Sequence, residues 1–530
     1  MGLPLGFLAL FYVYPVASII IEGLAPDGVP DFSPLREVAT SGSIRGVLWF
    51  TLWQAIASTV LTILAAMPVA YTFARFHFPG KRLLSALLTV PFVMPTVVVA
   101  AAFLAIFGSS GYLGIDLSRS IWIILAAHVF YNVAIVVRTV GGLWAHLDPR
   151  LEEAARTLGA TRWEAFRTVT LPLLSPALLA AASIVFLFTF TSFGVVLILG
   201  GLQYATLEVE IYRQTIVFND LPLAAGLALA QLGAVSSILW AYGRSQRRRS
   251  VELSLLPSDS VARSPRTPRQ RWAVGAVVAY VWVIALAPLA LLVARSFDTG
   301  SAGPLAFYEA LADTGGSTAS VSALEAIGNS LWIAAVATAI ATVVGLSAAA
   351  VVAYTKGTAA RGFDLLLMLP LGTSAVTIGF GMLIALDWPV DLRASVLLIP
   401  LAHALVAIPF VVRVSVPVMR SVRPRLREAA ATLGAPPGRV WREIDLPIVA
   451  RALAVSAGFA FAISLGEFGA TSFIARPDTP TLPVAIFRLL GRPGALNLGQ
   501  AMAMSTILMV VTATVILTVD RLRVRDVGDF

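Results

Sequence analysis

The residues that could do chemistry are few in this chain, and their spacing excludes most reactions. Four histidines are scattered without an HExxH or comparable pattern. His128 and His403 lie in apolar segments with no further ligands nearby in sequence, so each is read as a hydrogen-bonding partner between packed helices and not as a metal ligand. Cysteine is absent, which removes disulfides, thiolate metal sites and cysteine nucleophiles together. No G-x-x-x-x-G-K-[ST] sequence occurs, so there is no phosphate-cradling loop of that kind. Serine, histidine and aspartate do not recur as a set that could face one another for nucleophilic catalysis. No cofactor or metal is called for by these residues.

A different pattern does stand out. "EEAARTLGATRWEAFRTVTLP" occupies 152–172, and "REAAATLGAPPGRVWREIDLP" occupies 427–447. The first part of each is rich in Ala, Glu and Leu and reads as a short helix. Gly159 and Gly434 stop it, because glycine readily takes the left-handed conformation that ends a helix. A second short helix then begins, behind a Thr161/Glu164 capping box in one copy and behind Pro436 and Pro437 in the other. Trp163, Phe166 and Val169 share one face of this second helix, as do Val440, Trp441 and Ile444. Each stretch reads as a stiff two-helix elbow that projects aromatic and small residues.

The elements around the elbows are apolar. Of 530 residues, 58% are hydrophobic and 13% charged, and the net charge is +9. A soluble domain is nearer half apolar and a quarter charged. A spanning helix needs about 20 apolar residues, and twelve candidates occur, near 2–22, 47–74, 83–108, 120–143, 171–199, 222–243, 272–294, 328–355, 364–387, 395–418, 446–474 and 498–519. The first of these lacks a basic leader and a cleavage site, so it is read as a membrane helix and not as a signal peptide. Residues 1–243 form a first half and 272–530 a second. Between them, 244–271 is a polar linker with eight arginines. Positive charge collects on the cytoplasmic side, so the linker, both elbows and both termini are expected there. The basic balance is thus explained by membrane orientation, and nucleic acid is not an expected partner.

The halves repeat. At an offset of 275 residues, 150–176 and 425–451 agree at twelve of twenty-seven positions. His128 falls on His403, Arg138 on Arg413, and Phe193-Gly194 on Phe468-Gly469. Because each half has an even number of spans, both enter the membrane the same way round. They form a parallel repeat about an axis along the membrane normal, and a path along that axis follows.

The repeated stretch resembles the EAA loop of permease subunits of binding-protein-dependent ABC importers. The matching residues are Glu153, Ala154, Ala155, Gly159, Val169 and Leu171-Pro172, then Glu428, Ala429, Ala430, Gly434, Ile444 and Leu446-Pro447. Valine for isoleucine at 169 is the one departure. The resemblance implies an all-α membrane protein of the type I ABC importer permease fold, with about twelve transmembrane helices in two parallel six-helix repeats. It implies that Glu153, Ala154, Ala155, Gly159, Trp163, Phe166, Glu428, Ala429, Ala430, Gly434, Val440 and Trp441 couple to a separate ATP-binding subunit, expected as a homodimer. It also implies a solute-binding protein outside a bacterial inner membrane, with lipid around the chain. A fused double permease of this length is similar to the thiamine and ferric-iron branch, so thiamine is the expected solute and ferric iron the alternative.

Glu467, in "SLGEFG", is the most conspicuous charge within a span. A carboxylate at a helix centre costs roughly 2.5–3.5 kcal/mol on insertion scales, so such residues usually face a cavity. Glu467 is therefore expected to line the path, with Ser192 at its repeat position. A structural hydrogen bond and an interfacial position remain open. Glu208 and Glu210, in the external loop before span six, are read as solvated charges with docking of the binding protein as the alternative, and Asp387 and Asp391 as solvated loop ends. A 6+6 parallel repeat also describes proton-coupled transporters of the major facilitator type. Their loop between spans two and three carries an acidic residue, which "ARFHFPGKR" (74–82) lacks.

Overall fold

The computed structural model of the chain describes residues 2–26, 28–201, 203–249, 256–257, 261–300, 303–312, 322–355, 357–388 and 390–522. Linker residues 250–255 and 258–260 and the last eight residues, 523–530, lie outside the described residues. Helices make up nearly all of the regular structure, with a single isolated bridge, Phe76 to Arg263, among the described residues. In an apolar slab every backbone group must be bonded within its own segment, and the helix does that. Ten helices are long and apolar enough to cross a membrane, or twelve if two bent pairs each count as one.

The bent pairs correct the expectation of unbroken spans. Span three is Lys81–Val93 followed by Thr96–Phe107, turned by 101°; span nine is Thr358–Gly372 followed by Ala375–Ala385, turned by 100°. Pro95 breaks the first, since the residue before a proline is pushed out of the helical region. Ser374 starts the second half-helix of the other by accepting a hydrogen bond from the Thr377 amide (3.0 Å). Spans five and eleven are broken as well. Span five stops at Phe190 and resumes as Gly194–Leu199, and span eleven stops at Gly466 and resumes as Thr471–Ile474.

Each half lends its first span to the other. Span one (Gly2–Leu24) packs on the second half-helix of span nine, and span seven (Pro268–Ser296) packs on span three. The Tyr12 hydroxyl meets Thr373 Oγ1 at 2.7 Å beside the break in span nine, and the Tyr280 hydroxyl donates to the Ala65 carbonyl at 3.3 Å. The apolar core runs continuously from residues of the first half to residues of the second. The two repeats therefore fold as one body around a shared centre.

Candidate functional site

The elbows are built alike down to their hydrogen bonds. In the first, the helix Arg150–Thr157 ends with Gly159 at φ 97°; in the second, Pro424–Thr432 ends with Gly434 at φ 81°. The Ala160 amide donates to the Ala155 carbonyl and the Gly159 amide to the Arg156 carbonyl, both at 3.1 Å. Ala435 and Gly434 do the same to Ala430 (3.0 Å) and Ala431 (2.9 Å). This is the paired closure of a glycine-terminated helix. It explains the spacing from Glu-Ala-Ala to Gly, because the last alanine of each triplet accepts the outer bond.

The second helix of each elbow runs on into the next span. Thr161 and Glu164 form the expected capping box: the Thr161 amide donates to Glu164 Oε2 (2.7 Å) and the Glu164 amide to Thr161 Oγ1 (3.2 Å). Hydrogen bonding from Thr161, its amide first and then its side chain, holds the exposed Glu164 carboxyl below its usual range. Pro437–Val440 opens the corresponding helix of the second copy. Phe166–Thr170 and Trp441–Asp445 are both single π-turns at equivalent repeat positions.

What each elbow exposes differs from the sequence reading. Glu153, Ala154, Glu428 and Ala429 are exposed, and Ala155 and Ala430 half-buried. Trp163 projects, 67% exposed, and Phe166 stacks between it and Trp144. Trp441, by contrast, packs on Ala349, Met419 and Val449 of its own repeat, and Val440 is half-buried. The sequence reading missed the most exposed apolar residues of all. Leu158 is 90% and Leu433 88% exposed, one residue before each glycine. The shared "TLGA" was the available signal, because leucine at the tip of a turn buries nothing in its own chain.

The repeat axis is marked by aromatic rings. Phe193 and Phe468 hold equivalent positions and stack on each other, with centroids 5.4 Å apart. Equivalent residues of two repeats can touch only near the axis that relates them. Tyr212 and Phe487 pack edge-on against this pair, and Phe473 against Tyr212. The glycine after each phenylalanine allows close packing of break against break. A Cβ on Gly194 would lie 2.5 Å from Thr96 Oγ1, and one on Gly469 would lie 3.0 Å from the Ala375 Cβ.

Ser192 and Glu467 precede these phenylalanines and are both buried. His128 bridges helices as expected, sharing hydrogen bonds with Ser58 and with Ser192, each 2.9 Å. His403 does likewise with Ser464 and Thr471, each 2.7 Å. The buried Glu467 carboxylate sits 3.2 Å from His403 Nε2. It accepts from the amides of Ala470 (2.8 Å) and Thr471 (3.0 Å). The structural hydrogen bond weighed beside a path-lining role is thus present: a carboxylate in apolar surroundings needs donors, and the broken helix supplies them. Glu208 is a correction. It is wholly buried and accepts from Gln231 Nε2 and from Ser374 Oγ (2.8 Å), which ties the first repeat to the break in span nine. Asp387 and Asp391 are exposed beside Arg393, as read. No cluster of three or more metal-ligating side chains occurs among the described residues.

A doubled six-helix permease, with broken spans meeting at a pair of stacked rings and a repeated elbow, is the class these features define. The chain belongs to the family of binding-protein-dependent transport system inner membrane components, matched over residues 58–251 and again over 341–526. It is a permease subunit of the ABC importer kind. Among its relatives, the thiamine transport system permease protein ThiP of Brucella abortus is 27% identical over 536 residues, covering 98% of this chain and 94% of its own. The probable ABC transporter permease protein y4fN of Sinorhizobium fredii is 26% identical over 518 residues, 93% and 90% of the two chains. The sulfate transport system permease protein CysT of Escherichia coli is 30% identical over 260 residues, 47% of this chain and 91% of its own.

Proposed function

We propose that this chain is the membrane channel of a thiamine importer, driven by a separate ATPase dimer whose two clefts receive the two elbows. The observation that carries the coupling reading is the pair of matching elbows, each with a leucine about nine-tenths exposed at its tip. An apolar side chain held in water by a stiff turn is an unfilled contact, and two in one chain fit two identical partners. The elbows and the arginine-rich linker sit on the cytoplasmic side in this reading, with both termini, and a solute-binding protein delivers cargo to the opposite face. The stacked Phe193 and Phe468 close the path at the axis. Ser192 and Glu467 hold the helix breaks that aim those rings. Thiamine is favoured because alignment with thiamine permeases runs through both repeats and the linker between them.

The test is reconstitution of the chain with its ATPase and its binding protein in liposomes. ATP-driven uptake of thiamine, and not of ferric iron or sulfate, is the expected result. Uptake of either ion in its place would overturn the solute. An ATPase that fails to co-purify with the chain would overturn the coupling.

A further inference from the structure

Each elbow is fastened to the ends of the neighbouring spans by a polar knot, and the two knots have opposite charge polarity. In the second repeat Arg427, the residue before Glu428, donates from Nε to Asp445 Oδ1 at 2.8 Å, and its Nη2 lies 2.6 Å from the same oxygen as an ion pair. The same Nη2 donates to the Tyr354 hydroxyl at 2.9 Å, and the guanidinium lies 4.4 Å over the Tyr354 ring. Tyr354 is the last residue of the helix of span eight, Ala323–Tyr354, and Asp445 closes the π-turn before span eleven. One guanidinium thus joins the elbow's first helix, its second helix and a span end. Asp445 is buried.

The first repeat fills the same three places differently. Glu152 stands at the position of Arg427 and Thr170 at that of Asp445, and Thr170 Oγ1 donates to Glu152 Oε2 at 3.4 Å. The cation comes from the span instead. Arg75, the last residue of the helix Gly42–Arg75, is buried, donates to the Leu147 carbonyl at 2.9 Å and lies within electrostatic reach of Glu152. A span-end cation with an elbow acid in one copy is replaced by an elbow cation with a span-end tyrosine in the other.

We infer that Arg427, Asp445 and Tyr354 in the second copy, and Arg75, Glu152 and Thr170 in the first, are positioning residues that make each elbow move as one body with the adjoining span ends. An elbow hinged freely on its span would absorb a push from a docked partner, whereas a fastened one passes it to the spans. The second knot is the tighter. It has a charge-assisted hydrogen bond within a close ion pair, a buried acid and an aromatic face, where in the first the elbow's two helices share one long hydrogen bond and the cation is more distant. This inference rests on the proposed coupling role. The rigidity it asserts can be measured without it.

The chain has no cysteine, so spin-label pairs can be placed freely. In the full chain in lipid nanodiscs, labels at Leu433→Cys and Val343→Cys report the second elbow against span eight. Labels at Leu158→Cys and Leu64→Cys report the first elbow against span two. Asp445→Asn should widen the second distance distribution at least twofold, and the exchange Arg427→Asp with Asp445→Arg should narrow it again. Glu152→Gln should widen the first distribution less. Arg439→Gln, which breaks the exposed pair with Glu443 on the same elbow, should change neither. Arg427→Lys, which keeps the charge but loses the fork, serves if Asp445→Asn fails to insert, and should give partial widening. Unchanged widths in Asp445→Asn and Arg427→Lys overturn the knot. In liposomes with the ATPase and binding protein, thiamine taken up per ATP hydrolysed should fall about tenfold in Asp445→Asn while the ATPase stays bound. Widened distances with normal coupling overturn the transmission role alone. A wild-type chain that binds no ATPase overturns the coupling reading and leaves the rigidity result standing.

Discussion

Gly159 and Gly434 illustrate how one residue governs a docking geometry. A Cβ at either would meet nothing within 4 Å, yet φ is 97° and 81°. The whole penalty of a side chain is therefore conformational, about 1–2 kcal/mol, far too little to unfold a packed bundle. It is enough to redirect the tip. Gly159→Val and Gly434→Val should give inserted, folded protein that retains little ATPase on co-purification and transports poorly. Gly159→Val should be the worse, since the second elbow is stiffened by Pro436, Pro437 and the Arg427–Asp445 pair. Leu158→Ser and Leu433→Ser should weaken ATPase retention with no loss of thermal stability, because these side chains bury nothing within the chain. Normal ATPase retention in all four variants would show that these tips are not the contact.

At the scale of elements, the breaks in spans five and eleven set the closure of the path in the reading proposed above. A Phe-Gly pair lies at each break, and the two phenylalanines stack on each other at 5.4 Å. Such a pair contributes about 0.5–1.5 kcal/mol beyond its buried area, a modest barrier that a driven rearrangement can open. Phe193→Ala with Phe468→Ala should let thiamine leak through proteoliposomes without ATP, measured as passive efflux. A tight double mutant would place the closure elsewhere. Glu467→Gln keeps an acceptor for the Ala470 or Thr471 amide but discards the negative charge beside His403. Uptake should fall severalfold in Glu467→Gln while gel-filtration behaviour is preserved, whereas Glu467→Ala, which leaves both amides without that acceptor, should also lower the yield of folded protein.

At the scale of the whole molecule, the exchange of first spans makes each half depend on the other. Span one packs on span nine and span seven on span three, so a half expressed alone leaves both its lent span and its bent span uncovered. Residues 1–257 and 258–530 should be degraded when expressed singly and should assemble when co-expressed, with pull-down of one half by the other as the measurement. Failure to assemble would mean that the linker does more than join the halves. The intact chain should show no ATP turnover by itself and should support it once the ATPase subunit is added.

The sequence by itself determined the helical class, the placing of the apolar segments, the doubling and the construction of the elbows. Those follow from local rules: run length, glycine at a helix end, threonine with glutamate three residues on. Positive charge gave the orientation argument in the same local way. What only the tertiary structure decided lies where distant segments meet. Composition cannot distinguish a straight span from one bent by 101° at Pro95, because both bury the same residues. Nor could it say that Glu208 is wholly buried against Ser374 of the other repeat, or that Glu467 turns inward to cap its own break. The same holds for Trp441, which reads as a projecting aromatic until the packing of Met419 and Val449 around it is seen. A polar side chain's role depends on which donors its fold brings within about 3 Å, and no spacing along the chain specifies that.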